Sequence, residues 1–85
     1  MLNVQVLGSG CNNCHTVQTR AEQAVRELGV EANVRLVTDM AVMMRYGILN
    51  TPALVINEKV VLAGRVPATS QIKTLLLAAL EKSES

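Results

Sequence analysis

Gly8-Ser9-Gly10-Cys11-Asn12-Asn13-Cys14-His15 holds both cysteines and the single histidine of an 85-residue chain. It stands where an alternating apolar run ends and a helical pattern begins. Two cysteines separated by two residues at the start of a helix can act as a dithiol/disulfide couple, as half of a metal site or as a cofactor attachment point. The residues around them have to decide among the three.

Upstream, Leu2, Val4 and Val6 alternate with Asn3 and Gln5, which predicts a strand with one apolar face. Gly8 and Gly10 end it in a tight turn. From Asn12 to Leu28 the period becomes helical. Cys14, Val17, Ala21, Ala24, Val25 and Leu28 form one side, while His15, Gln18, Thr19, Glu22 and Arg26 form the other. Cys14 is therefore expected on the buried face and Cys11 at or just before the first turn. Gly29 ends the helix. Val30, Ala32, Val34 and Leu36 then alternate with Glu31, Asn33 and Arg35 in a second, half-buried strand. Strand, helix and strand in this length predict a parallel crossover unit.

Thr38 or Asp39 can cap a short helix from about Met40 to Tyr46, closed by Gly47. Met40, Met43 and Met44 are expected on or near one face of it, as flexible filler for a core without large rings. Pro52 forces Thr51 out of helical geometry. The apolar runs Ala53–Ile56 and Val60–Ala63 flank Asn57-Glu58-Lys59 and predict a β-hairpin. A last helix follows Gly64-Arg65-Val66-Pro67, with Ile72, Leu75, Leu76, Ala79 and Leu80 on its apolar face and Ser83-Glu84-Ser85 as a frayed tail. The order β-α-β-α-β-β-α predicts an α/β domain whose sheet mixes a parallel pair with an antiparallel hairpin, one domain over residues 1–85.

Composition narrows the function classes. The chain is 49% hydrophobic and 18% charged, which is globular, and a chain this small buries about two thirds of its unfolded surface. Tyr46 is the lone aromatic residue and the net charge is +1, so neither the stacking platforms nor the basic footprint of a nucleic-acid binder is present. The N-terminal residues lack a charged segment followed by a long apolar one, and no apolar run approaches the ~20 residues of a membrane span. A soluble, cytoplasmic protein without a membrane partner is expected. There a structural disulfide is rare, and a loop closed by two residues removes little entropy from the unfolded chain.

Cys11-Asn12-Asn13-Cys14-His15 spells the attachment signature of c-type haem. Haem needs a large apolar pocket, and four strands and three helices already take up the apolar residues. The metal reading is a Cu(I) or Zn(II) binding module using the two thiolates. The strand, glycine loop and helix resemble the first half of heavy-metal-associated copper-binding domains, but the hairpin and final helix depart from that pattern, and structural zinc needs four ligands where Cys11, Cys14 and His15 are the candidates. The third reading is thiol–disulfide exchange. A helix N-terminus stabilises a thiolate at Cys11, and a second thiol three residues on can resolve a mixed disulfide.

Gly8-Ser9-Gly10-Cys11-x-x-Cys14, Tyr46-Gly47-Ile48, Thr51-Pro52, the hairpin and Gly64-Arg65-Val66 together resemble the small thioredoxin-like redox-active disulfide proteins of archaea and bacteria. The resemblance spans the whole chain. It implies a thioredoxin-like fold, with a four-stranded mixed sheet and helices on both faces. It implies a thiol–disulfide oxidoreductase in electron transfer or disulfide reduction, with Cys11 as nucleophile and Cys14 as resolving thiol. Gly10, Asn12, Asn13 and His15 would support the site. Thr51 and a cis Pro52 would present an extended substrate segment. No cofactor beyond the Cys11–Cys14 disulfide and no metal is implied. The expected partners are a protein disulfide substrate and an upstream reductase, with the chain itself a monomer. Asn12-Asn13 departs from the Gly-Pro and Pro-Tyr pairs of related proteins, so no reduction potential carries over. His15 reads first as a solvated residue of the first turn. Tyr46 either covers the site or packs, and Arg65 reads as a solvated charge.

Overall fold

The computed structural model describes residues 2–8, 12–48 and 50–83. The elements are β1 (Leu2–Leu7), α1 (Asn12–Leu28), β2 (Ala32–Val37), α2 (Met40–Arg45), β3 (Ala53–Ile56), β4 (Lys59–Ala63) and α3 (Thr69–Ser83). Their sheet runs in the order β2-β1-β3-β4. β1 and β2 are parallel, with Leu2 opposite Ala32 and Leu7 opposite Val37. β3 is antiparallel to both β1 and β4.

The register puts two apolar sets on opposite faces. Leu2, Val4, Val6, Leu54 and Ile56 face α1 and α3, where they pack against Val17, Ala21, Ala24, Ile72 and Leu76. Leu7, Ala53 and Val55 face the other way, against Met43 of α2. β3 is thus covered on both sides and is buried along its whole length, which is why Ala53–Ile56 is a continuous apolar run. Each fully buried Leu or Ile contributes about 1.5–3 kcal/mol through the area it removes from water. α2 is short and covers one end of its face. The rest stays polar: Asn3, Gln5, Asn33 and Arg35 line a shallow hollow of about 200 Å³ together with Tyr46 and Glu58.

Two helices end by the same device. At Gly29 (φ +66°) the amide N–H donates to the Arg26 carbonyl, and Val30 N–H reaches back to Val25. At Gly47 (φ +69°) the N–H donates to Met44, and Ile48 N–H reaches Met43 at 2.9 Å. These are Schellman turns, in which the left-handed residue lets the chain satisfy its last carbonyls and fold an apolar residue back on the helix. Asp39 caps the start of α2: its Oδ1 accepts the Ala41 N–H at 2.9 Å, a contact worth about 1 kcal/mol. On the other face, Lys73 of α3 pairs with Glu27 of α1, and Arg20 donates to the Pro67 carbonyl at 3.0 Å, holding the β4–α3 connection against α1.

Three expectations need correction. Met43 is core at 8% exposure, whereas Met40 and Met44 are 73% and 76% exposed. At 100° per residue, Val42, Met43 and Tyr46 share the inward side of α2, and positions 40 and 44 fall on the opposite one. The hairpin turn is the pair Asn57-Glu58, both at positive φ (50° and 67°), and Lys59 is the first residue of β4. This is the two-residue loop whose twist matches that of the strands. Ser83, read as tail, is the last residue of α3, while Glu84 and Ser85 lie outside the described residues.

Candidate active site

The sheet gathers the chemistry at one end. Leu7 pairs with Val37 on one side and Ala53 on the other, and Ala53 pairs with Ala63. Gly8 and Gly64, which follow Leu7 and Ala63, and Pro52, which precedes Ala53, therefore meet at this edge. Gly8 N–H donates to the Val37 carbonyl at 3.0 Å, and Gly64 N–H donates to the Pro52 carbonyl at 2.9 Å. α1 also begins here.

Cys14 is the third residue of α1, fully buried and disulfide-bonded. Its sulfur lies over Gly8. A Cβ on Gly8 would fall 2.2 Å from Cys14 Sγ, 3.2 Å from Cys14 Cβ and 3.8 Å from Thr51 Cβ. Gly8 thus lies in the contact between the cysteine and the Thr51 segment, and its missing side chain is what makes room for the sulfur. The sequence marks this glycine as a strand breaker; its spatial role has no local signature.

The Thr51–Pro52 peptide bond is cis. Thr51 is exposed and Pro52 is buried. Asn50, to which sequence reasoning assigns no role, packs on Gly64: a Cβ there would lie 2.9 Å from Asn50 Cβ, and Gly64 itself has φ +72°. Gly64 therefore needs to be glycine for both space and conformation. The signal in the sequence was its place in Gly64-Arg65-Val66, and for Asn50 its place before Thr51-Pro52.

The remaining candidates divide. Asn12, Asn13 and His15 are exposed on the first turn of α1, where the Asn12 carbonyl accepts the Thr16 hydroxyl at 3.0 Å. Cys11 and Gly10 lie outside the described residues. Tyr46 does not cover Cys14. It packs in the Leu7, Met43, Ala53 and Val55 cluster, across the sheet from α1, with its hydroxyl 3.5 Å from Gln5 Oε1. Arg65 is exposed. Among the described residues no three His, Cys, Asp or Glu side chains converge as metal ligands.

A parallel β-α-β unit carrying a disulfide-bonded cysteine in the first turn of its helix, joined through a cis-proline to a β-hairpin and a packing helix, defines a thioredoxin-like α/β fold. The thioredoxin domain family model matches residues 2–77. The chain is similar to a thioredoxin of Methanothermobacter thermautotrophicus, with 32% identity over 89% of this chain and 99% of that protein. It is also similar to a thioredoxin of Methanocaldococcus jannaschii, with 30% identity over 95% of this chain and 93% of that protein. The chain belongs to the thioredoxin domain family and is a thiol–disulfide oxidoreductase.

Proposed function

We propose that the exchange centre is the Cys11–Cys14 couple. The observation that carries this reading is the disulfide-bonded Cys14 buried against Gly8 beside Thr51. Cys11 is the other cysteine of the chain. The N-terminus of α1, with the partial positive charge of a helix start, favours the Cys11 thiolate. That thiolate attacks one sulfur of a substrate disulfide and expels the other as a thiolate. Cys14 loses its proton and attacks Cys11 Sγ, forming the intramolecular disulfide and releasing the second substrate thiol. Two electrons pass to the substrate. A dithiol of an upstream reductase returns the couple to its reduced form by the same steps reversed.

Burial suits Cys14 to the resolving role, since external disulfides cannot reach it. The exposed Thr51 offers main-chain groups to an extended substrate segment, a short strand addition. Gly10 is a supporting residue of the site in this reading, and Asn12 and Asn13, exposed on the first turn of α1, have side-chain amides that can donate to a thiolate. His15 is a solvated neighbour. The couple needs no cofactor. The unit of function is residues 1–85 as one domain, acting as a cytoplasmic monomer on protein disulfides. No described helix is long and apolar enough to cross a membrane. The Cu(I) or Zn(II) carrier reading has no comparable support, both relatives being thioredoxins.

A Cys14→Ser protein expressed in cells tests this. It should accumulate partners disulfide-linked to Cys11. Alkylation of the parent protein across a series of redox buffers should show one reversible two-electron transition. Thiols that never oxidise in the cytosolic range, with no trapped partner, would sink the proposal.

A further inference from the structure

Cys14 Sγ occupies the space where a side chain at position 8 would begin, 2.2 Å from the site of a Gly8 Cβ. No pair of non-bonded heavy atoms stands that close, so a side chain at position 8 and the sulfur in its present place exclude each other. We infer that Gly8 is a positioning residue for the redox couple: the bare backbone at the end of β1 is the seat of the Cys14 sulfur in the disulfide form, and it selectively stabilises that form. This rests on the exchange reading given above.

The selectivity follows from the freedom of the sulfur in each form. In the disulfide, Cys14 Sγ is tethered through its S–S bond and cannot turn away from the seat while that bond holds. Reduction breaks that bond as two electrons and two protons enter and leave two thiols. The Cys14 side chain can then turn to another staggered χ1 position and vacate the seat. The second contact, 3.2 Å from the Cys14 Cβ, is present in both forms and cancels between them. An added methyl at position 8 therefore costs the disulfide form more than the dithiol form. The amide of Gly8 stays bonded to the Val37 carbonyl, so the backbone of the site is held while the seat is filled.

The experiment compares the parent protein with Gly8→Ala in glutathione buffers, where two glutathione thiols supply the electrons and protons and leave as one glutathione disulfide. Gly8→Ala should shift the equilibrium at least tenfold toward the dithiol, a potential about 30 mV more oxidising. Urea unfolding of the two forms gives the same quantity independently: the oxidised variant should lose more stability than the reduced one by that factor. Cys14→Ala provides a second background, in which Gly8→Ala should lose most of its effect because the sulfur is gone. An oxidised Gly8→Ala that does not fold while Gly8→Ala/Cys14→Ala does would support the same conclusion. Equal losses in both forms with an unshifted equilibrium, or a double variant as damaged as the single, would overturn the inference. Absence of any reversible transition in the parent protein would instead overturn the exchange reading, and this inference with it.

Discussion

The amide N–H of Gly64 donates to the carbonyl of Pro52 at 2.9 Å, joining the end of β4 to the segment that carries Thr51. Asn50 packs on the same glycine. The proline loop is thereby held from two sides, by its own strand β3 and by the exit of the hairpin.

Gly64→Ala meets two obstacles, a left-handed backbone (φ +72°) and the Asn50 Cβ at 2.9 Å. It should destabilise the protein by about 2–3 kcal/mol, the sum of a strained φ and an overpacked contact. Gly29→Ala separates the two effects, since Gly29 has φ +66° with nothing within 4 Å of its Cβ position. That variant should lose only about 1 kcal/mol. Urea titrations of both variants measure the difference, and equal losses would show that the Asn50 contact costs nothing.

Glu58 holds φ +67° in a two-residue turn, a conformation that disfavours a long side chain. Glu58→Gly turns the pair into Asn-Gly, the preferred sequence for this loop. The variant should be more stable by about 0.5–1 kcal/mol, read as a raised urea midpoint with an unchanged slope. Asn57 keeps its bond to the Asn3 N–H, which anchors the turn to β1.

The Glu27 carboxyl is held below the usual glutamate range, chiefly by its hydrogen bond from Lys73 and secondly by one from Gln23. A depressed carboxyl pKa means the contribution to stability is present above the ordinary value and fades as pH falls through the native one. Stability should therefore decline from about pH 5 downward, and Glu27→Gln should flatten that decline. The pair is exposed, so the effect should be small and should shrink further in high salt. Unfolding curves across acidic pH at low and high ionic strength test both statements.

His15→Ala should leave the thiol pKa of Cys11 unchanged. His15 is exposed on the first turn of α1, where solvent screens its charge. The pH dependence of alkylation of the Cys14→Ser protein, with and without His15, measures this. A shift of the alkylation profile toward higher pH on removing the imidazole would place His15 in the site.

Much of the arrangement was legible in the chain. Alternation in Leu2–Leu7 and the 3.6-residue recurrence of Cys14, Val17, Ala21 and Ala24 place β1 and α1 without reference to anything distant, because period and burial are local properties of a strand or helix with one wet side. Gly29 and Gly47 end their helices for a local reason too, a left-handed residue closing the last turn. Apolar content alone misled at Met40 and Met44. A six-residue helix has one inward face, and which three side chains occupy it depends on how the helix sits on the sheet.

The order of the motifs along the chain favoured one chemistry: two cysteines three residues apart at a helix start are open to haem, metal or redox readings, and Thr51-Pro52 with the hairpin far downstream is what weighs toward a redox pair. What bears on the sulfur is set by contacts between residues distant in the chain. Gly8 adjoins Cys14 because parallel pairing of β1 with β2 ends at the Leu7–Val37 register, where α1 turns back over the sheet. Gly64 reaches Pro52 because the hairpin register places Ala63 against Ala53. Such contacts join residues distant in the chain, and no period or propensity encodes them. They follow from strand register, which is set by how the whole apolar pattern packs.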